Sequence, residues 1–409
     1  MSDEQIGGAD ALDAGTPGQR AEALVHRIAD RLGERGPSGW RQLHAVFALT
    51  VTTEWARVEF TDVDRVLRAE VPETVMELVR QQRAEAAAAG AGAWWRLLLW
   101  ANASGDIEVE YDYGDEPFPA DQLFRPEAYR ADLAVYRRPR LPVWLAAYAG
   151  HAGRQARPPR RAAIAARADR AAGVNAQPVE DELPPFPQLW ARWATISAAH
   201  VAVSSDLGPR MVAANGWYES ARNGSSGSTL YLLPGGRAVL SGGVWNAPAL
   251  NAAYNGGIDL PNLYAGAPDW VTNAVLSPRA AVGLLSFCFW WDGTGWFRGE
   301  SPSVSECGAA MPGVWTAGTV IETVARLFSH QPDARQRAAV ARLLAKAERS
   351  MGPRGEITRE VLIDGIGADH DIDGALRQFS TAGLLTGCQS PHRTVEFART
   401  SRIGQSVFV

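Results

Sequence analysis

The chain of 409 residues has a single lysine, Lys346, only three cysteines and no apolar run of about 18 residues. Each shortage excludes something. Positive charge is carried almost wholly by arginine, a pattern that GC-rich coding produces, so no function follows from it. Cys288, Cys307 and Cys388 are odd in number, far apart and without a CxxC pair, which excludes a disulfide framework and a cysteine zinc site and leaves three buried thiols. The lack of a long apolar run excludes a membrane-spanning helix. The first residues, MSDEQIGGADALDAGTPG, have neither the basic start nor the apolar stretch of a signal peptide. A cytoplasmic protein is expected. The formal charge of −5 gives no electrostatic case for nucleic acid.

Chemistry-bearing motifs are equally scarce. The seven histidines (His26, His44, His151, His200, His330, His370 and His392) form no HExxH pair and accompany no serine or cysteine nucleophile motif. No GxxxxGK[ST] loop occurs, and Gly235-Gly236, Gly242-Gly243 and Gly256-Gly257 read as turns, not as a dinucleotide fingerprint. The run Asp369, Asp371, Asp373, Gly374 matches half of a calcium loop, but its twelfth position is Ser380 where a bidentate glutamate is needed and its ninth is Arg377. Asp371 or Asp373 is better read as the cap of the helix that follows. The expectation is therefore no catalytic residue, no metal and no cofactor.

What the chain does have is enough apolar content, 46%, for two or three cores, and a pattern that mixes helices with short strands. An α+β fold is expected. After a disordered leader at 1–16, Thr16-Pro17 caps a helix with Leu24, Ile28 and Leu32 at helical spacing. Strands are expected at 43–51, 55–60 and 66–69, with a helix opened by Pro72, and the whole first domain covers 17–150. An Arg/Pro-rich linker is expected at 151–185 because six arginines sit there among almost no large apolar residues. A second α+β domain at 186–331 and a winged-helix-like helical module at 332–409 complete the layout. The module's last helix carries Asp371 and Asp373 against Arg377, which favours packing over reading DNA.

The segment from Ala93 to Trp144 is the most informative. Trp95, Leu97 and Leu99 alternate with Arg96 and Leu98, Ser104-Gly105 supplies a turn, and Ile107, Val109 and Tyr111 alternate with Glu108, Glu110 and Asp112. This is a hairpin with one face on a core and a row of carboxylates on the other. Trp94, Tyr111, Tyr113 and Phe118, interleaved with Glu108, Glu110, Asp112, Asp115 and Glu116, form the candidate partner-binding patch.

Order and residues together resemble the YezG-like immunity protein family over about residues 19–148. The likeness rests on the N-terminal helix, the Pro37-to-Trp40 junction, the helix at Pro72 and Glu73, the apolar strand from Trp95, the turn at Gly105 and the Tyr111-Asp112-Tyr113 element with acidic residues after it. It implies a small α+β protein, not an enzyme, that binds a cognate toxin of contact-dependent or type VII secretion, a nuclease or an NAD-degrading enzyme, and blocks its active site. Two rival readings remain open. One is an enzyme or ligand-binding protein whose site is lined by Trp217, Trp245, Trp290, Trp291 and Trp296; the other is a DNA-binding regulator acting through the C-terminal module.

Overall fold

Thr16 and Pro17 start the first helix as their pattern predicts. In the computed structural model, which describes residues 15–63, 65–213, 216–220, 226–350 and 356–385, the Thr16 side chain caps α1 (Pro17–Gly33) and the Gln19 side chain returns the bond to the Thr16 N–H. Leu24, Ile28 and Leu32 line its buried face. The expected strands follow as β1 (Gln42–Leu49), β2 (Glu54–Thr61) and β3 (Val66–Ala69), then α2 (Glu73–Ala86), β4 (Arg96–Asn102) and β5 (Ile107–Asp112).

These strands make one antiparallel sheet in the order β3-β2-β1-β4-β5. Alternation assigns its faces. Leu43, Ala45 and Phe47 of β1 and Leu97 and Leu99 of β4 pack against α1 and α2, with Ile107, Val109 and Tyr111 of β5 at the margin of that core. His44, Leu98, Trp100, Glu108 and Glu110 stand on the opposite face, as their registers require. The β4–β5 turn is built on Asn102, whose Oδ1 accepts the N–H groups of Ser104 and Asp106, while Gly105 takes the positive φ (+97°) the turn needs.

Two further helices, α3 (Pro126–Val135) and α4 (Val143–Gly150), follow the prolines that predict them. Asp132 of α3 is fully buried and accepts four hydrogen bonds: from Val51 N–H (2.9 Å), from Arg83 Nη2 to both oxygens (2.9 and 2.7 Å) and from Trp95 Nε1 (3.0 Å). Arg83, itself 4% exposed, also donates from Nε to the Trp94 carbonyl (2.7 Å). A buried carboxylate is tolerable only when so satisfied.

The chain divides into two compact units, residues 1–145 and 146–409, inside α4. In the second unit α5 (Pro159–Ala171), β6 (Gln177–Pro178) and α6 (Phe186–Ala202) lead to β7 (Arg210–Ala213), β8 (Gly216–Ser220), β9 (Gly227–Leu233) and β10 (Arg237–Gly243). Then come α7 (Pro248–Gly256), β11 (Phe287–Trp291), β12 (Trp296–Arg298), α8 (Ala317–Phe328), α9 (Ala334–Arg349), α10 (Arg359–Ile366) and α11 (Ile372–Thr381). The strands form an antiparallel sheet ordered β6-β12-β11-β10-β9-β8-β7. The class of the whole chain is α+β.

Phe287 and Phe289 of β11 and Leu240 of β10 face one core with α6, α8, α9 and α11, whereas Val239, Cys288 and Trp290 face another under the segment 263–285. Helix α6 is buried on all sides, so its Arg192 is neutralised where it lies: Nε meets Glu348 at 2.9 Å and Nη1 meets the carbonyls of Val314 and Trp315.

Two boundaries differ from expectation. The segment 151–185 is no linker. Ala162 and Ala166, one helical turn apart, give α5 a small buried stripe, Gln155 brackets both backbone groups of Leu285 at 2.9 Å, and β6 pairs with β12. The exposed Arg160, Arg161, Arg167 and Arg170 mask that stripe in the sequence. Nor is the segment after 332 a separate module: Val340 and Leu343 of α9 and Ala375 and Phe379 of α11 share the core of α6. Asp371 caps α11 by accepting the Gly374 N–H at 2.7 Å, as read from the sequence. The strand expected at TVEFAR, Cys388 and the leader up to residue 14 lie outside the described residues. Among those described, no helix is long and apolar enough to cross a membrane.

Replacing Asp132 with alanine leaves Arg83 and Trp95 Nε1 buried without their acceptor, and a loss of about 3–5 kcal/mol in urea unfolding is expected. A folded 151–185 also resists trypsin at Arg160 to Arg170 under native conditions, whereas a linker is cut there first, as peptide mapping reads directly.

Candidate functional site

The nine residues of the acidic, aromatic patch divide into three groups by burial. Glu108, Glu110, Asp115 and Glu116 are exposed. Tyr111, Asp112 and Tyr113 are half-buried. Trp94 and Phe118 are buried, at 0% and 6% exposure, and do not belong to a contact surface.

Trp94 precedes β4 on the side of α2, where its Nε1 donates to Gln82 Oε1 at 2.7 Å; the same Gln82 donates to the Tyr111 hydroxyl at 2.9 Å. Phe118 is wedged among Trp95, Tyr129 and Trp144 at centroid distances of 6.3, 6.1 and 5.1 Å, with the Arg96 guanidinium 5.6 Å from its centroid. In the sequence, aromatics between carboxylates look like contact anchors at the surface. The chain instead turns back at Gly114, and that turn carries Phe118 inward. Gly114 has φ +82°, its N–H meets Asp112 Oδ1 at 2.7 Å, and its carbonyl accepts from Trp144 Nε1 at 2.6 Å. The Tyr111-Asp112-Tyr113 element is thus largely a structural corner.

Asp112 is no free charge either. Its Oδ2 lies 3.2 Å from Arg96 Nη1, its cross-strand partner. Burial pushes its carboxyl above the ordinary aspartate value, with the Gly114 N–H and Arg96 opposing that rise. Desolvation likewise lifts Tyr111 and Tyr113, which stay neutral phenols at neutral pH. The exposed charges on β5 itself are Glu108 and Glu110, next to each other on one side of the strand with Trp100 and Leu98 directly across from them. Those two apolar residues are half-buried and belong to the same surface. They were not singled out from the sequence, although their two-residue period with Arg96 places them on the carboxylate face. His44 stacks on Trp100 at 5.2 Å and extends this strip to β1.

Charge is distributed to match. Residues 1–145 carry 24 Asp and Glu against 16 Arg, whereas residues 146–409 carry 21 against 24 Arg and Lys, so the whole acidic surplus lies in the unit that holds β5.

In the second unit Trp217, Trp290 and Trp296 are buried, Trp291 is half-buried against Trp296 at 5.7 Å, and Trp245 is 47% exposed. The first four serve the two cores of the sheet. A cleft of about 380 Å3 is bordered by Glu182, Val304, Ser305, Gly308 and Trp315. Its carboxylate, Glu182, is already bound to Arg298 at 3.0 Å and to the Val304 N–H at 2.7 Å. Burial pushes the thiols of Cys288 and Cys307 up to about 12, which keeps both protonated and unreactive. Compared with known proteins, the chain matches no family model and no curated protein.

Two sets of substitutions separate scaffold from surface. Phe118→Ala is expected to cost about 3–5 kcal/mol of stability, whereas Glu108→Gln with Glu110→Gln stays within about 0.5 kcal/mol. Urea titration of both proteins checks the pair.

Proposed function

We propose that the protein is a non-enzymatic, cytoplasmic immunity protein whose first unit binds and blocks a cognate toxin, a nuclease or an NAD-degrading enzyme. The observation that carries this reading is the exposed Glu108 and Glu110 pair beside half-buried Leu98 and Trp100, on the last strand of a sheet anchored by a buried ion pair. Enzymes that act on NAD or nucleic acid need cationic sites. A rigid row of carboxylates steers such a site toward itself, and an apolar strip next to the charges supplies contact area. Rigidity matters because ordering the surface on binding would cost affinity. The resemblance to YezG-like proteins over residues 19–148 supports the same assignment. Helices sharing the second unit's core speak for a packing role of the C-terminal segment over a DNA-reading one.

Full-length protein used as bait in lysate of its native host is expected to retain a toxin domain, and Glu108→Lys with Glu110→Lys to lose it by at least about tenfold at 0.15 M salt. Capture that survives the charge reversal contradicts the reading.

A further inference from the structure

The hydrogen-bond phase of the first sheet decides what β5 offers to a partner. Thr50 N–H bonds to the Thr53 carbonyl, Leu49 N–H to the Trp95 carbonyl, and Asn102 N–H to the Asp106 carbonyl. In an antiparallel ladder bonded pairs alternate with unbonded ones, so the even residues of β5, Glu108, Glu110 and Asp112, spend their backbone groups on β4. The N–H and C=O groups of Ile107, Val109 and Tyr111 then point away from the sheet, along an edge where no strand follows among the described residues. The same odd residues place their side chains at the margin of the apolar core, and Glu108 and Glu110 project on the opposite face.

We propose that this edge accepts an added strand of alternating basic and apolar residues from the partner protein. Basic side chains would lie beside Glu108 and Glu110, and apolar ones would extend the core row of Ile107, Val109 and Tyr111. Strand addition couples main-chain bonds for affinity to alternate side chains for specificity. The edge also selects against its own copies. Two β5 strands paired antiparallel would set carboxylate against carboxylate, the device by which natural edges avoid self-association. A cationic strand removes that repulsion. The proposal rests on the toxin-binding reading for the partner's identity, but its geometry is tested without a toxin.

The test uses the full chain and a blocked five-residue peptide alternating arginine and valine, with a control of the same composition in which the arginines and valines are grouped. Fluorescence anisotropy is expected to show binding of the alternating peptide only. Val109→Pro removes one outward N–H and no bond to β4, and is expected to weaken binding by about tenfold or more with the unfolding midpoint little changed. Should Val109→Pro fail to fold, amide exchange of the unaltered protein decides the matter. Val109 and Tyr111 amides exchange fast alone and slowly with peptide, whereas Glu108 and Glu110 amides are slow in both. No binding, equal binding of both peptides, or protection unchanged at Val109 and Tyr111 overturns strand addition. Those results leave the toxin reading standing if capture still depends on Glu108 and Glu110; a bound peptide with charge-independent capture removes the toxin reading alone.

Discussion

The first unit is organised around a buried carboxylate. Asp132 draws together four parts of the chain that are distant in sequence: the turn after β1 through Val51, α2 through Arg83, the start of β4 through Trp95, and its own helix α3. Each bond is modest by itself, but a fully desolvated carboxylate makes their loss a joint one. Because Trp95 immediately precedes β4 and its N–H bonds to the Asp112 carbonyl, the same carboxylate fixes where β4 begins and hence where β5 lies along it. The cations around it are arranged accordingly. Arg138 lies over the Trp95 ring, its guanidinium 3.7 Å from the ring centroid.

Much of this was legible in the sequence, and what was legible is periodic. Alternation placed β4 and β5 and assigned their faces, Thr16 with Pro17 fixed the start of α1, and prolines set the starts of α2 to α4. The short strand β3 was found at its observed ends, although its own contribution to the core is small. Long-range pairing was not legible. Nothing in the neighbourhood of Asp132 or Arg83 marks them as partners, since a single charged residue on an amphipathic helix reads as solvent-facing. The same limit explains the segment 151–185. Two buried alanines are a weak signal beside six arginines, yet small side chains are what allow a helix to approach a surface closely.

The candidate surface was half legible for a related reason. Charge survives the passage from sequence to surface better than aromaticity does. Glu108 and Glu110 are exposed, whereas the large apolar area of Trp94 and Phe118 draws both inward, with Gln82 holding Trp94 and the Gly114 turn directing Phe118. Asp112 shows the intermediate case, a carboxylate that closes a corner with Gly114 and Arg96 instead of facing a partner. The surface that emerges is smaller than the nine residues first grouped together, and it gains Leu98 and Trp100 from the neighbouring strand.

The central claim is that Glu108 and Glu110 are covered when the protein meets its partner. Carbodiimide labelling of carboxylates, read by mass spectrometry on full-length protein alone and in the complex recovered from its host, tests it most directly. Glu77, exposed on α2, serves as the internal reference. The account predicts that labelling of Glu108 and Glu110 falls in the complex while that of Glu77 does not. Unchanged labelling at Glu108 and Glu110, with protection confined to residues after 145, would contradict it.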